Sequence, residues 1–245
     1  MAAQDPPGPL LGAGRTAEVY ALGPDRVLRR YLTERSTERE VEVMAYLAQA
    51  GFPVPRIYDA SGRDLIMERV KGRDMLADLA ARPWLVRRHA RTLAGLHDRL
   101  HQIAAPPFLP ERYSSGDRML HLDLHPGNVM LTPSGPVVID WTGCASGAPA
   151  VDVAMVQVII ATSDTDMLPR RIRPAISALR SVLLGQFLAA VHDDPAPVLA
   201  RVARARMADP HIRPAEIRRL EKIVEQAERA ERAEREDGVG SQPAG

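Results

Sequence analysis

Hydrophobic and polar positions change their spacing about 70 residues into the chain, and this change predicts two kinds of structure. In the first part, short apolar runs lie between turn-forming residues, which is typical of β-strands. These runs predict strands near residues 10–20, 27–31, 56–59 and 64–67. One helix interrupts them, because apolar residues recur at helical spacing from Thr33 to Ala50 and Gly51 follows its end.

Helical spacing dominates the second part, from Met75 onward. It is most regular over Leu85–Ile103, where one face is apolar. Later helices are predicted after Pro149, over Pro174–His192 and Pro197–Met207, and from Pro214 to about Glu236.

The segment 121–141 departs from this helical pattern. Two apolar runs, 129–131 and 137–139, flank a turn rich in proline and glycine, which predicts a β-hairpin. The ends of this hairpin would bring Asn128 and Asp140 side by side. An amide and a carboxylate form a hard oxygen site that suits Mg²⁺, although turn capping alone would also place polar residues there.

Asp123 lies five residues before Asn128, where it could orient or deprotonate a hydroxyl nucleophile. The spacing H-x-D-x-x-x-x-N, followed by a hairpin and I-D-W, resembles the catalytic loop and metal-binding Asp of the protein-kinase-like superfamily. In detail it is similar to aminoglycoside phosphotransferases and choline kinases. The resemblance implies that Asp123 is the catalytic residue, that His121 braces its loop, and that Asn128 and Asp140 hold Mg²⁺.

The same resemblance assigns the nucleotide-binding residues. Gly12 and Gly14 would approach the phosphates with their backbone, although Ala17 replaces the third glycine of the kinase pattern. Arg29 stands where the family usually has Lys, and Glu40 is its best partner on the following helix. A solvated strand residue is the alternative for Arg29.

Three further features follow from the resemblance. Glu68 and Val70 fall at the hinge, where main-chain atoms would hydrogen-bond adenine. Asp152 would brace the catalytic loop through backbone hydrogen bonds, or would simply cap a helix. The predicted helix over Leu85–Ile103 also carries three histidines, which we expect to be hydrogen-bonded core residues and not metal ligands: His89, His97 and His101.

Composition limits the remaining possibilities. The chain has 245 residues, 45% of them hydrophobic, and a net charge of +1, which gives no long-range field for nucleic acid. Cys144 is its single cysteine, so no internal disulfide can form. Because neither a signal peptide nor a membrane-spanning run is evident, we expect a cytoplasmic location without membrane partners.

We therefore predict an α+β, two-lobed protein-kinase-like fold, with a small antiparallel β N-lobe carrying one helix and a mainly helical C-lobe. The predicted divisions are residues 1–70, 71–237 and a flexible tail, 238–245. The resemblance implies an ATP- and Mg²⁺-dependent phosphotransferase acting on a small-molecule hydroxyl.

Two alternatives stay open. A pseudokinase or nucleotide-binding scaffold is favoured by Arg29 and Ala17. A protein Ser/Thr kinase is disfavoured by the short segment between Asp140 and Asp152. For the acceptor, an aminoglycoside-like or amino-alcohol compound would suit an acidic wall formed by aspartates, while nearby arginines could cancel that charge. The aspartates considered are Asp152, Asp164, Asp166, Asp193 and Asp194.

Overall fold

The computed structural model describes residues 8–14, 16–33, 36–163, 169–209 and 212–239. Within these residues the chain forms ten strands and seven α-helices. The strands are β1 (Leu10–Ala13), β2 (Ala17–Leu22), β3 (Arg26–Tyr31), β4 (Ile57–Ser61), β5 (Asp64–Glu68), β6 (Arg73–Asp74), β7 (Arg118–Leu120), β8 (Val129–Thr132), β9 (Gly135–Val138) and β10 (Ala145–Gly147). The helices are α1 (Glu38–Gln49), α2 (Met75–Ala81), α3 (Val86–His101), α4 (Pro149–Thr162), α5 (Arg173–Leu188), α6 (Leu199–Met207) and α7 (Pro214–Val239).

The chain divides into two compact units that are discontinuous in sequence. The first contains the chain up to Asp78 together with Pro126–Thr142, and the second contains Leu79–His125 and the chain from Gly143 onward. The predicted division after residue 70 stays a prediction. Of the predicted tail, Gly238–Val239 close α7, and the remainder lies outside the described residues.

A five-stranded sheet forms most of the first unit, in the order β1-β2-β3-β5-β4 with antiparallel neighbours. Val27, Leu65 and Met67 form a buried cluster on it. The helix α1 begins at Glu38, later than the predicted Thr33, because the chain is still paired with the sheet region at Leu32. The Leu32 amide donates to the Thr16 carbonyl.

The predicted hairpin is present in the first unit as β8 and β9, with Val129 opposite Val138 and Thr132 opposite Gly135. The strand β6 pairs with β8 and completes a three-stranded sheet. Trp141 follows the hairpin and is buried, where its indole N–H donates to the Val138 carbonyl and its ring meets Phe52 edge-on. These contacts fix the end of the hairpin that carries the polar residues.

The second unit is mainly helical and packs around α4, whose residues are apolar on almost every side. A helix with this composition is stable only when other elements surround it. Residues of α6 and α7, including Val202 and Leu220, pack with α4 in one buried cluster, which also contains Leu120 and Leu122 next to Asp123 in the sequence. The strands β7 and β10 form a two-stranded antiparallel sheet in this unit.

The predicted α+β architecture is confirmed: an antiparallel N-terminal sheet with one helix precedes a helical C-terminal part. Helix ends differ from prediction by a few residues, as at α5, which ends at Leu188 instead of His192. Among the described residues, no helix combines the length and the apolar character required to span a membrane.

Candidate active site

Arg29 lies in the middle of β3 and bridges two carboxylates with different guanidinium nitrogens. One terminal nitrogen is 3.0 Å from Glu40 Oε1 on α1, and the other is 2.7 Å from Asp140 Oδ1 after the hairpin. Arg29 is almost fully buried, so the solvated-strand interpretation is wrong. The ion pair predicted with Glu40 is present, and a second partner, Asp140, joins it.

Arg29 keeps its charge in this cluster although it is buried. Burial opposes the charged form of Arg29, but the nearby carboxylates of Glu40 and Asp140 outweigh it and raise the Arg29 pKa. Tyr31, two residues along the same strand, donates its hydroxyl to Glu40. Burial first and the Glu40 charge second raise the Tyr31 pKa, so this hydroxyl stays protonated. The sequence analysis missed Tyr31, although a period of two places it on the same face as Arg29.

Asn128 and Asp140 lie at the same end of the hairpin, as predicted. The Ile139 amide donates to the Asn128 carbonyl at 3.0 Å, which continues the strand pairing to the residue before Asp140. Asp140 Oδ1 accepts from Arg29 and from the Thr142 hydroxyl. A carboxylate has about four lone-pair positions, so these two bonds are compatible with metal ligation.

These residues fit a magnesium ion by the chemistry of their donors. Mg²⁺ binds through one or two protein oxygens and keeps waters and substrate phosphates as its other ligands. Asp140 supplies a carboxylate whose side chain is 35% exposed, and Asn128 supplies an amide oxygen. That they act as the metal ligands stays a prediction.

The glycine pair lies where β1 turns into β2. Gly12 pairs with Val19, and a side chain added at Gly12 would meet no protein atom within 4 Å. The Gly14 amide donates to the Ala17 carbonyl at 2.8 Å, which closes the turn. The space at Gly12 is compatible with close approach of a ligand to the backbone.

The predicted hinge begins at the last residue of β5. The Glu68 amide donates to the Arg56 carbonyl at 2.8 Å, and the Glu68 side chain accepts from the Arg56 amide. Because the Glu68 amide is already used, we predict that the Glu68 carbonyl is the main-chain group that would bind adenine. Val70 is partly exposed just beyond it.

The predicted catalytic loop in the second unit is held by one buried carboxylate. Asp152 accepts the His121 amide at 3.1 Å and the Leu122 amide at 2.6 Å. Leu122 has a φ of +64°, a left-handed conformation that is costly for a bulky residue. The bracing role predicted for Asp152 is confirmed, and no side-chain cap accompanies it at the start of α4.

His121 is fully buried, and its Nδ1 accepts the Asp123 amide at 3.2 Å. Asp123 itself is 44% exposed, with Oδ1 3.7 Å from Nε2 of His125. The loop therefore presents the Asp123 carboxylate outward while its backbone is fixed from inside. This arrangement suits a group that meets a substrate, although the catalytic roles of Asp123 and His121 stay predictions.

One of the aspartates that we considered for an acidic wall at the acceptor site cannot belong to it. Asp152 is completely buried and is used by the backbone, so it cannot line a pocket. Burial opposes its charge, but the hydrogen bond from His101 and the neighbouring histidines lower its pKa. Asp164 and Asp166 lie outside the described residues, and Asp193 lies beside His101.

Several solved structures share the fold. An aminoglycoside phosphotransferase solved with streptomycin and ATP is 13% identical, with a TM-score of 0.59 over 89% of this chain and 90% of its own. A choline/ethanolamine kinase family protein from Mesorhizobium loti is 13% identical, with a TM-score of 0.55 over 90% and 87%. An ethanolamine kinase from Plasmodium vivax is also 13% identical, with a TM-score of 0.56 over 89% and 81%.

No curated protein matches the sequence significantly. The model of the phosphotransferase enzyme family does match, over residues 8–119 and 105–180. These ranges contain the Arg29 cluster, the hairpin and the braced catalytic loop. They span well over half of the chain, and the protein therefore belongs to the phosphotransferase enzyme family and is a small-molecule phosphotransferase.

Proposed function

We propose that the protein transfers the γ-phosphoryl group of ATP to a hydroxyl group of a small molecule, with Mg²⁺ as cofactor. The observation that carries this proposal is the buried guanidinium of Arg29, forked between Glu40 and Asp140. A permanent cation held beside the predicted metal ligand is the arrangement that phosphate binding requires. It also addresses the replacement of the family's usual Lys, because Arg29 still pairs with Glu40.

Residues of the first unit would bind the nucleotide. Arg29 would contact the phosphates, and Glu40 would keep it oriented. The backbone at Gly12 and Gly14 would approach the same phosphates, and main-chain atoms of Glu68 and Val70 would receive the adenine. Asn128 and Asp140 would hold the magnesium ion, which when bound supplies positive charge against the phosphate oxygens.

The acceptor end falls to Asp123. Its carboxylate would accept the proton of the attacking hydroxyl and orient the oxygen toward the phosphorus atom. His121 would act on the loop only, because it is buried and its ring is bonded to the Asp123 amide. Phosphoryl transfer needs little covalent participation by the protein, so positioning and charge neutralisation would supply most of the rate enhancement.

For the acceptor class we propose a compact compound that carries both a hydroxyl and an amine. Proteins of the same fold were solved with streptomycin or belong to the choline and ethanolamine kinases, which supports this class. The short segment between Asp140 and Asp152 leaves little chain for docking an extended peptide. This argument favours a small acceptor over a protein Ser/Thr residue.

The test is a phosphorylation screen with purified protein, Mg²⁺ and either labelled ATP or labelled GTP. The panel contains aminoglycosides, choline, ethanolamine, simple sugars and Ser/Thr peptides. We expect transfer to at least one amine-bearing hydroxyl compound and none to the peptides. Efficient peptide phosphorylation without a small acceptor would contradict the proposal.

Variants then separate the two carboxylates. Asp123→Asn should lower turnover by about 10²–10⁴-fold while nucleotide binding, measured by calorimetry, is kept. Asp140→Asn should weaken Mg²⁺-dependent nucleotide binding as well. The matched control is Asp117→Asn, which changes an 84% exposed aspartate just before β7 and should have no effect. Near-normal turnover of Asp123→Asn would show that the catalytic assignment is wrong.

A further inference from the structure

Three atoms of different side chains converge in the core of the second unit, behind the catalytic loop. They are Nδ1 of His97, Nε2 of His101 and Oδ2 of Asp152, all within 4.8 Å of one another. The Asp152 oxygen is 3.2 Å from His101 and 3.7 Å from His97. All three residues are buried.

The outer partners of the two rings decide where their protons lie. Nε2 of His97 is 3.1 Å from the Leu124 carbonyl, and Nδ1 of His101 is 3.1 Å from Oδ2 of Asp193. Carbonyl and carboxylate oxygens can only accept, so both outer nitrogens carry protons. If both rings were neutral, their inner nitrogens would turn lone pairs toward the Asp152 oxygen, and three acceptors would meet without a donor.

A proton or a metal ion must therefore lie among these atoms. Two backbone amides donate to Asp152 and favour its ionised form, so the proton would lie on a ring. A structural zinc ion has four protein ligands, and no fourth ligating group joins the cluster among the described residues. His97 Nδ1 has no hydrogen-bond partner, whereas His101 Nε2 is at hydrogen-bond distance from Asp152, so the proton belongs on His101.

We propose that His101 is a positioning residue for the transfer reaction, in which its imidazolium links Asp193 to Asp152 and so fixes the loop that carries Asp123. The inference rests on the proposed function. Each carboxylate takes one ring N–H of the imidazolium, and neutral His101 could serve only one of them. Loss of the proton would leave Asp152 with a lone pair facing it while it still holds Leu122 in its left-handed conformation.

The surroundings of His101 agree with a held proton. Burial opposes the charge, but hydrogen bonds and charges from Asp152 and Asp193 outweigh it and raise the His101 pKa. Burial lowers the pKa of His97 to about 4, so the neighbouring ring is neutral near pH 7. The proton has a route to solvent, because His101 lines a cavity of about 370 Å³. The titratable or charged groups around His101 are His97, Asp98, Arg118, His121, Asp152, His192 and Asp193.

The experiment compares kcat against pH for wild type, Asp193→Asn and Asp117→Asn. Removing one of the two carboxylates at His101 should move the alkaline limb of kcat to lower pH by about one unit or more, with KM for ATP unchanged. Asp117→Asn is the control, because the Asp117 side chain is 84% exposed and its carboxylate is paired with Arg118 instead of a histidine. It should leave the profile where it is.

A second measurement does not depend on activity. Nitrogen-15 NMR of the histidine rings should show both His101 nitrogens protonated in wild type at pH 7, with a titration midpoint that falls in Asp193→Asn. A neutral His101 at pH 7, or tightly bound zinc in stoichiometric amount, would overturn the proposal. An alkaline limb that Asp193→Asn fails to move would overturn it as well. If the wild type lacks kinase activity, the proposed function fails, and the ring titration still tests His101.

Discussion

Each unit of the molecule contains a buried cation held between two carboxylates, and the two clusters differ in the kind of cation. In the first unit Arg29 joins Glu40 to Asp140. In the second unit His101 joins Asp152 to Asp193. Arg keeps its charge at every physiological pH, whereas a histidine gains or loses its charge within that range.

The difference follows the task that we propose for each cluster. A cation that contacts phosphates should be present whenever nucleotide is, so a permanent charge suits it. The cation behind the catalytic loop contacts no substrate in our proposal and only fixes the backbone. A titratable group there would make the geometry of the loop, and not the affinity for nucleotide, depend on pH.

The largest expected effect comes from Asp152→Ala. This change removes the acceptor of two buried backbone amides and leaves the His101 charge without its inner partner. Breaking such a buried network should lower the free energy of unfolding by about 3–5 kcal/mol, measured by urea denaturation. The control is Asp64→Ala, which removes a partly exposed partner of Arg30 and should cost at most about 1 kcal/mol. Equal losses in the two variants would contradict the buried brace.

Arg29→Ala should lower kcat/KM for ATP by about 10²–10³-fold, because phosphate charge and the Asp140 carboxylate lose their shared cation. The ratio to wild type should be the same at pH 7 and pH 8.5. Arg30→Ala, one residue along the strand, is the control and should stay within about threefold.

Arg29→Lys sharpens the same test. A single ammonium nitrogen replaces two guanidinium nitrogens that reach separate carboxylates, so a loss of about tenfold is expected. A pH-dependent ratio for either Arg29 variant would break the distinction between the two clusters.

The free energy of unfolding should pass through a maximum near pH 6.5. His97 explains the loss of stability at lower pH, and His101 explains the loss at higher pH. The pKa of folded His97 is lowered to about 4, so the unfolded chain binds its proton first and stability falls as pH drops below about 6.5. Protonation of His97 should lower the free energy of unfolding by up to about 3 kcal/mol. The pKa of folded His101 is raised, so its contribution is present below about 6.5 and is lost as pH rises through the raised value.

Urea midpoints between pH 4 and pH 9 would check this profile. His101→Gln should lose the alkaline slope and keep the acidic slope. The Arg29 cluster should add no slope in this range, since burial is outweighed by the carboxylates that raise the Arg29 pKa. An unchanged alkaline slope in His101→Gln would contradict the held proton.

The smallest effect is expected from Gly12→Ala. A new methyl group would meet no protein atom within 4 Å, so stability should not fall. If the phosphates approach this backbone, KM for ATP should still rise by about three- to tenfold. Gly95→Ala is the control, because Gly95 lies inside α3 with similar free space and outside the nucleotide-binding residues. An unchanged KM would remove Gly12 from the phosphate site.

Strands and helices were predicted best where a local sequence pattern alone determines the structure. The hairpin after Asn128 was predictable because two apolar runs and a turn of proline and glycine fix its register. Element ends were less predictable, as at α1, because pairing of Leu32 with the sheet region competes with helix formation. That competition is tertiary and leaves no local signal.

The site was predictable where the family pattern is local, and less so where it is assembled from distant parts. The pairing of Arg29 with Glu40 followed from the resemblance, but the contact of Arg29 with Asp140 joins residues far apart in sequence. The link between His101 and Asp193 spans 92 positions and has no motif. Histidines four residues apart on one helix were visible in the sequence, and only the fold shows which carboxylates they meet.

Asp140 also has a left-handed backbone, with a φ of +67°. Aspartate, asparagine and glycine adopt this conformation most readily, whereas branched side chains resist it. In the genetic code the two transitions that change the meaning of an aspartate codon give asparagine and glycine, whereas every other single-nucleotide replacement of aspartate needs a less frequent transversion. The replacements that evolution reaches most easily at this position are therefore those that the backbone accepts, so loss of the carboxylate that we predict to bind the metal should yield folded, inactive descendants instead of misfolded ones.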